Sequence, residues 1–95
     1  MKTDLTKLTY PTIHLNGSSK ERVLDDVVEA AGAIRRAERA LNEMAPNARD
    51  YYVEGPDAFA KANEQHRDRL ERLASVLREV AAIQEHIHTG NRGRS

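Results

Sequence analysis

From Val23 onward the apolar side chains recur at Val23, Val27, Ala30, Ile34, Ala37, Leu41 and Met44, stepping by four and three in alternation. This is the period of an α-helix that buries one face, and Leu24, Val28 and Ala31 widen the stripe. The pattern predicts a helix from about Ser19 to about Met44. The Asn16-Gly17 pair signals a turn ahead of it, and the Ser18 hydroxyl is placed to cap the open amides while Glu21 reaches back as in a capping box. Pro46 disfavours helical geometry at Ala45 and so marks the end.

A second periodic run follows. Phe59, Ala62, His66, Leu70, Leu73, Leu77, Val80, Gln84 and Ile87 share one face, broadened by Val76 and Ile83, and no proline or glycine interrupts it before Gly90. Gly55-Pro56-Asp57 suits its opening: proline fits the first turn, and an acid there complements the positive end of the helix dipole. The second helix is expected over 56–88, with 89–95 a frayed tail. Residues 1–18 mix Leu8, Tyr10, Ile13 and Leu15 with polar residues and with Pro11, which bars a regular helix. They are expected to form an extended arm, with room for a short strand, laid over the helices or over a neighbouring subunit.

The expected fold is therefore all-α: a two-helix antiparallel hairpin over 19–88, joined by a loop at 46–55 and preceded by the arm. Ninety-five residues make one domain with little core to spare. Leu, Ile, Val and Phe supply only about a fifth of the chain, near the level at which a lone chain is underfilled. The apolar stripes are also wider than a two-helix seam needs. Both features predict that copies associate into an oligomeric helical bundle, as a dimer that makes four helices or a higher symmetric assembly.

Charge and cysteine content narrow the function classes. Fifteen basic and fifteen acidic residues cancel, which counts against wholesale coating of nucleic acid. Eleven of the basic residues are arginine, the side chain suited to gripping phosphate or carboxylate through two hydrogen bonds. There is no cysteine, hence no disulfide framework or thiolate metal site. No apolar run reaches membrane-spanning length and nothing resembles a secretory signal, so a soluble cytoplasmic protein is expected.

The chain offers little for catalysis. His86 and His88 diverge on a helix and lack the spacing of the helical zinc motif, His66 lies on the buried stripe, and His14 is in the arm. Arg39 and Glu43, Arg67 and Glu71, and Asp68 and Arg72 are each four apart, which makes them expected ion pairs on solvated faces. Serine nucleophile motifs and Gly-rich phosphate loops are missing. A non-enzyme without cofactor or metal is expected.

Binding chemistry gathers at two places outside the helical stripes. Ser18, Ser19 and Lys20 stand at the amino end of the first helix, where backbone amides and the dipole favour an anion. The connecting stretch PNARDYYVEGP holds two of the four aromatic residues, Tyr51 and Tyr52, beside Arg49. Turning requires its Pro, Asn, Asp and Gly but not those three. The tyrosines suit either capping of the core end or stacking on a base while the guanidinium holds phosphate.

The order of features, an arm with Tyr10 and His14, a helix, a PNARDYY turn with the pattern Pro-x-x-Arg-acid, and a second helix, resembles small phage-encoded helical-hairpin proteins. These are the sponges that sequester cyclic nucleotide or cyclic ADP-ribose immune signals, the anti-CBASS and anti-Thoeris families. The likeness spans about residues 8–88 in layout and a few residues in motif. The chain departs from the pattern in having no tryptophan in its second helix and a longer turn. The resemblance implies a homo-oligomer, such as a hexamer, in the cytoplasm of an infected bacterium, with pockets between subunits and no catalysis. It implies Tyr10 as a stacking residue, Lys20 and Arg49 as the phosphate partners, and His14, Tyr51 and Tyr52 as pocket walls, with Ser19 beside them at the helix start as the ligand-binding candidate of the anion site. Two other readings remain open: an adaptor or inhibitor that docks on a protein through the loop tyrosines, and a nucleic-acid binder using Arg35, Arg36 and Arg39.

Overall fold

A computed structural model describes residues 4–14 and 17–90. Two long helices dominate it, α1 (Lys20–Glu43) and α2 (Ala58–Gly90). Among the described residues there is no strand, so the fold is all-α. The arm carries a short 3-10 turn at Leu5–Lys7 instead of a strand, capped by Asp4, whose Oδ1 accepts from the Thr6 amide at 3.1 Å and its hydroxyl at 2.6 Å.

The first helix and its cap each fall one residue later than expected. Ser19, not Ser18, takes the N-cap: its Oγ accepts from the Arg22 amide at 3.1 Å. Glu21 thereby falls at the second helical position, not the third, so the capping box expected from Ser18 and Glu21 does not form. At the other end Met44 closes the helix with its amide bonded to the Leu41 carbonyl, and Pro46 follows as expected.

The connection is more ordered than a plain loop. Asn47 Oδ1 accepts from the Arg49 amide at 2.9 Å and nucleates a 3-10 turn at Ala48–Asp50, and a second turn follows at Tyr52–Glu54. Gly55 then takes φ 116° and ψ 166°, a conformation that residues with a side chain rarely adopt. This residue re-aims the chain into α2, where Pro56 and Asp57 form the entry turn and the first helical residue is Ala58. Helix α2 runs on through Thr89 and Gly90, two residues past the expected end. The expected tail at 91–95, the Leu15 and Asn16 part of the arm and turn, and residues 1–3 lie outside the described residues.

The helices pack side by side with the chain reversed between them, a hairpin-like arrangement. Lys20, at the start of α1, reaches the carbonyl of His88 near the end of α2, while Arg39 and Asn42 share a cleft with Arg67. Among the apolar side chains of the described residues, the fully buried core is confined to Ala31 and Ile87, each 1% exposed. The seam also buries His66, whose Nδ1 lies 3.4 Å from Arg69 Nη1 and whose Nε2 has no hydrogen-bond partner among the described residues.

Ser75 is buried as well, although it follows His66 by nine residues and so lies about half a revolution around α2. Helix α1 cannot cover both sides. On that second side, three helical turns beyond Ser75, the arm lies against α2, with Tyr10 stacked on His86. The arm therefore packs on its own chain, on the face of α2 turned away from α1.

The result is long and thin, with extents of 63 × 23 × 17 Å. Its accessible surface of 7259 Å² exceeds by roughly a third the about 5,500 Å² of a compact monomer of this mass.

Candidate functional site

The residues singled out in the arm and at the start of α1 come together. Tyr10 lies on His86 with ring centroids 4.6 Å apart and planes inclined by 23°. The Lys20 ammonium donates to the His88 carbonyl at 3.4 Å, a long bond that leaves it available to an anion. Ser19 is committed to capping. Gly17 donates its amide to the His14 carbonyl, and the His14 ring sits over it so closely that a Cβ there would meet Nε2 at 2.8 Å. His14 is thus held by the turn that precedes α1 and remains exposed to solvent.

The residues of the loop lie at the opposite end. Tyr51 is half-buried and meets Phe59 with centroids 6.5 Å apart, closing the end of the helical seam. Tyr52 and Val53 are different: they are 75% and 72% exposed at the tip. Arg49 is exposed beside them, with its backbone amide, not its guanidinium, bonded to Asn47.

Phe59 and His86 are separated by most of α2, about 40 Å at 1.5 Å per residue. One chain consequently presents two groups, Tyr10, His14, Ser19 and Lys20 at one end and Arg49, Tyr51 and Tyr52 at the other. Nothing within a single chain brings them into one pocket.

Between the ends runs a groove that sequence spacing did not assemble. A cleft of about 560 Å³ opens between α1 and α2, lined by Arg35, Glu38, Arg39 and Asn42 on one side and Arg67, Leu70, Glu71 and Ala74 on the other. Arg35 and Arg39 were visible as neighbours on α1, but Arg67 was expected to pair with Glu71. Instead Glu71 bonds Arg78 at 2.7 Å, two turns further on, and the expected Arg39–Glu43 pair is not formed either. Of the three expected pairs only Asp68–Arg72 is made, at 3.0 Å.

The histidines are dispersed: His66 in the seam, His86 under the arm, His88 near the helix end and His14 at the turn. Among the described residues no cluster of three His, Asp or Glu side chains could hold a metal ion. No helix is long and apolar enough to cross a membrane. Comparison of the chain with protein-family models, with curated proteins and with solved structures gives no match.

Proposed function

We propose that the chain is a non-enzymatic binding protein that assembles with copies of itself and holds a small anionic nucleotide signal in pockets where the copies meet. The observation that carries this reading is the thinness of the single-chain core. Ala31 and Ile87 alone among the apolar side chains of the described residues are fully buried, while Val28, Met44, Val53 and Val76 are 51%, 59%, 72% and 45% exposed. At about 25 cal/mol per Å² of apolar surface, covering a few such side chains supplies several kcal/mol toward association.

Pairing also solves the problem of the separated groups. If two copies lie antiparallel, the loop of one stands beside the arm of the other. Arg49, Tyr51 and Tyr52 then face Tyr10, His14, Ser19 and Lys20, which gives aromatic faces for a base and cations for phosphate. In this reading the ligand is of the cyclic oligonucleotide or cyclic ADP-ribose type, and the protein is an immune-evasion sponge. Light scattering gives the assembled mass, and calorimetry against a panel of such nucleotides tests the pocket. A compact monomer at micromolar concentration, or a folded oligomer that binds nothing in the panel, rejects the reading.

The exposure of Tyr52 and Val53 favours a second reading, in which the loop tip docks on a protein. There, Tyr52→Ala would abolish capture of that protein without changing nucleotide binding.

A further inference from the structure

We propose that the cleft between α1 and α2 binds the phosphate groups of a small molecule through Arg35, Arg39 and Arg67. This rests on the anionic-ligand reading above and moves its phosphate seat from the chain ends to the middle of the hairpin. The proposal begins with which arginines are paired. Arg36 has Glu29 at 3.5 Å, Arg72 has Asp68 at 3.0 Å, Arg78 has Glu71 at 2.7 Å, and Arg69 contacts His66. All of these acids and partners lie on the arginine's own helix. The three arginines that line the cleft have no hydrogen-bond or ion-pair partner among the described residues.

Their assembly follows from the fold. Arg35 and Arg39 are one turn apart on α1 and so share a face; Arg67 arrives from α2 because the chain reverses between the helices. Two carboxylates also line the cleft, but Glu71 is occupied by Arg78, which leaves Glu38 as the one acid facing three unpaired guanidiniums. Asn42, also in the lining, donates its amide nitrogen to the Glu38 carbonyl at 3.1 Å and carries no charge to offset the guanidiniums. The local excess of positive charge stands on a chain whose net formal charge is zero.

Geometry selects the ligand class. Guanidinium groups form paired hydrogen bonds to phosphate oxygens, and three of them around one opening suit a ligand with two or more negative charges. The opening of about 560 Å³ is of small-molecule size. Leu70 and Ala74 give it an apolar wall on which a sugar or base could rest. A long polyanion is disfavoured because Glu38 and Glu71 stand in the walls of the opening and the chain carries no net positive charge.

The test is titration calorimetry of the intact protein with pyrophosphate, adenosine diphosphate and a single-stranded DNA oligomer, at low and at physiological salt. Arg35→Gln, Arg39→Gln and Arg67→Gln are each expected to weaken pyrophosphate and adenosine diphosphate binding by tenfold or more. Arg36→Gln and Arg72→Gln, which remove paired arginines outside the cleft, should change it less than twofold. Circular dichroism and light scattering on every variant show that the fold and the assembled mass persist. Equal losses from all five variants would mean diffuse charge attraction and overturn the proposal, as would DNA binding that exceeds that of the small phosphates. If phosphate binding survives the cleft variants but is lost in Arg49→Ala, the cleft is wrong and the end-pocket reading stands. If the folded oligomer binds neither phosphate probe, and also none of the cyclic nucleotides, both fall.

Discussion

Tyr10 lies on the face of His86 with 4.6 Å between ring centroids, and this one contact fastens the arm to the side of α2 that α1 does not reach. Stacked aromatic pairs contribute about 1 kcal/mol beyond the area they bury. Tyr10→Ala should therefore lower stability by about 1–2 kcal/mol. It should also speed amide hydrogen exchange over residues 8–14 while leaving α1 protected. Equal protection of the arm in the variant would show that another contact holds it.

Ser18 and Ser19 make a clean comparison because they are adjacent, chemically identical and differently used. Only the Ser19 hydroxyl accepts from an α1 amide. Loss of an N-cap costs about 1 kcal/mol, so Ser19→Ala should lower the unfolding free energy by about that amount and Ser18→Ala should leave it within a few tenths. Chemical denaturation of the two variants measures the difference directly; a reversed order would place the cap on Ser18.

Two glycines should respond to alanine with opposite sign. Gly55 has φ 116°, and alanine there is strained whatever space surrounds it. Gly32 lies inside α1, and the nearest atom to an added Cβ is the Arg36 guanidinium at 3.5 Å, an ordinary contact. Gly55→Ala should destabilise by about 1 kcal/mol or more, and Gly32→Ala should stabilise by about 0.5–1 kcal/mol. Thermal unfolding of both variants decides the matter.

These contrasts also show what was legible before the fold was known. The run from Val23 to Met44 gave α1 to within a residue at each end, because apolar period, serine cap and Pro46 all report on local geometry. The same stripe did not tell which of its members meets α2. Ala31 is fully buried while Ala30 and Ala37 on the main stripe are exposed, since the seam is set by how two helices lie against each other.

Asp68–Arg72 forms as expected, but the Arg67–Glu71 pair failed for a related reason. Spacing of four counts only the adjacent turn, whereas the long guanidinium of Arg78 spans two turns to Glu71 and frees Arg67 to line the cleft. The arm was harder still. Its apolar residues have no regular period, and only the stack of Tyr10 on His86 reveals the surface it covers.

His66 supplies the last test. It is 5% exposed, and if Nδ1 accepts from Arg69 then Nε2 carries the ring proton into the seam with nothing to receive it. A buried donor left unpaired costs about 1–3 kcal/mol, and an apolar group of similar size removes that cost. Arg69 is exposed, so water replaces the contact it would lose. His66→Leu should therefore stabilise the fold by about 1 kcal/mol, which for a domain of this size raises Tm by about 4–8 °C. His66→Ala controls for volume and should destabilise by leaving a cavity. A marked fall in Tm for His66→Leu would mean that Nε2 is satisfied in solution, by bound water or by a group from a second copy.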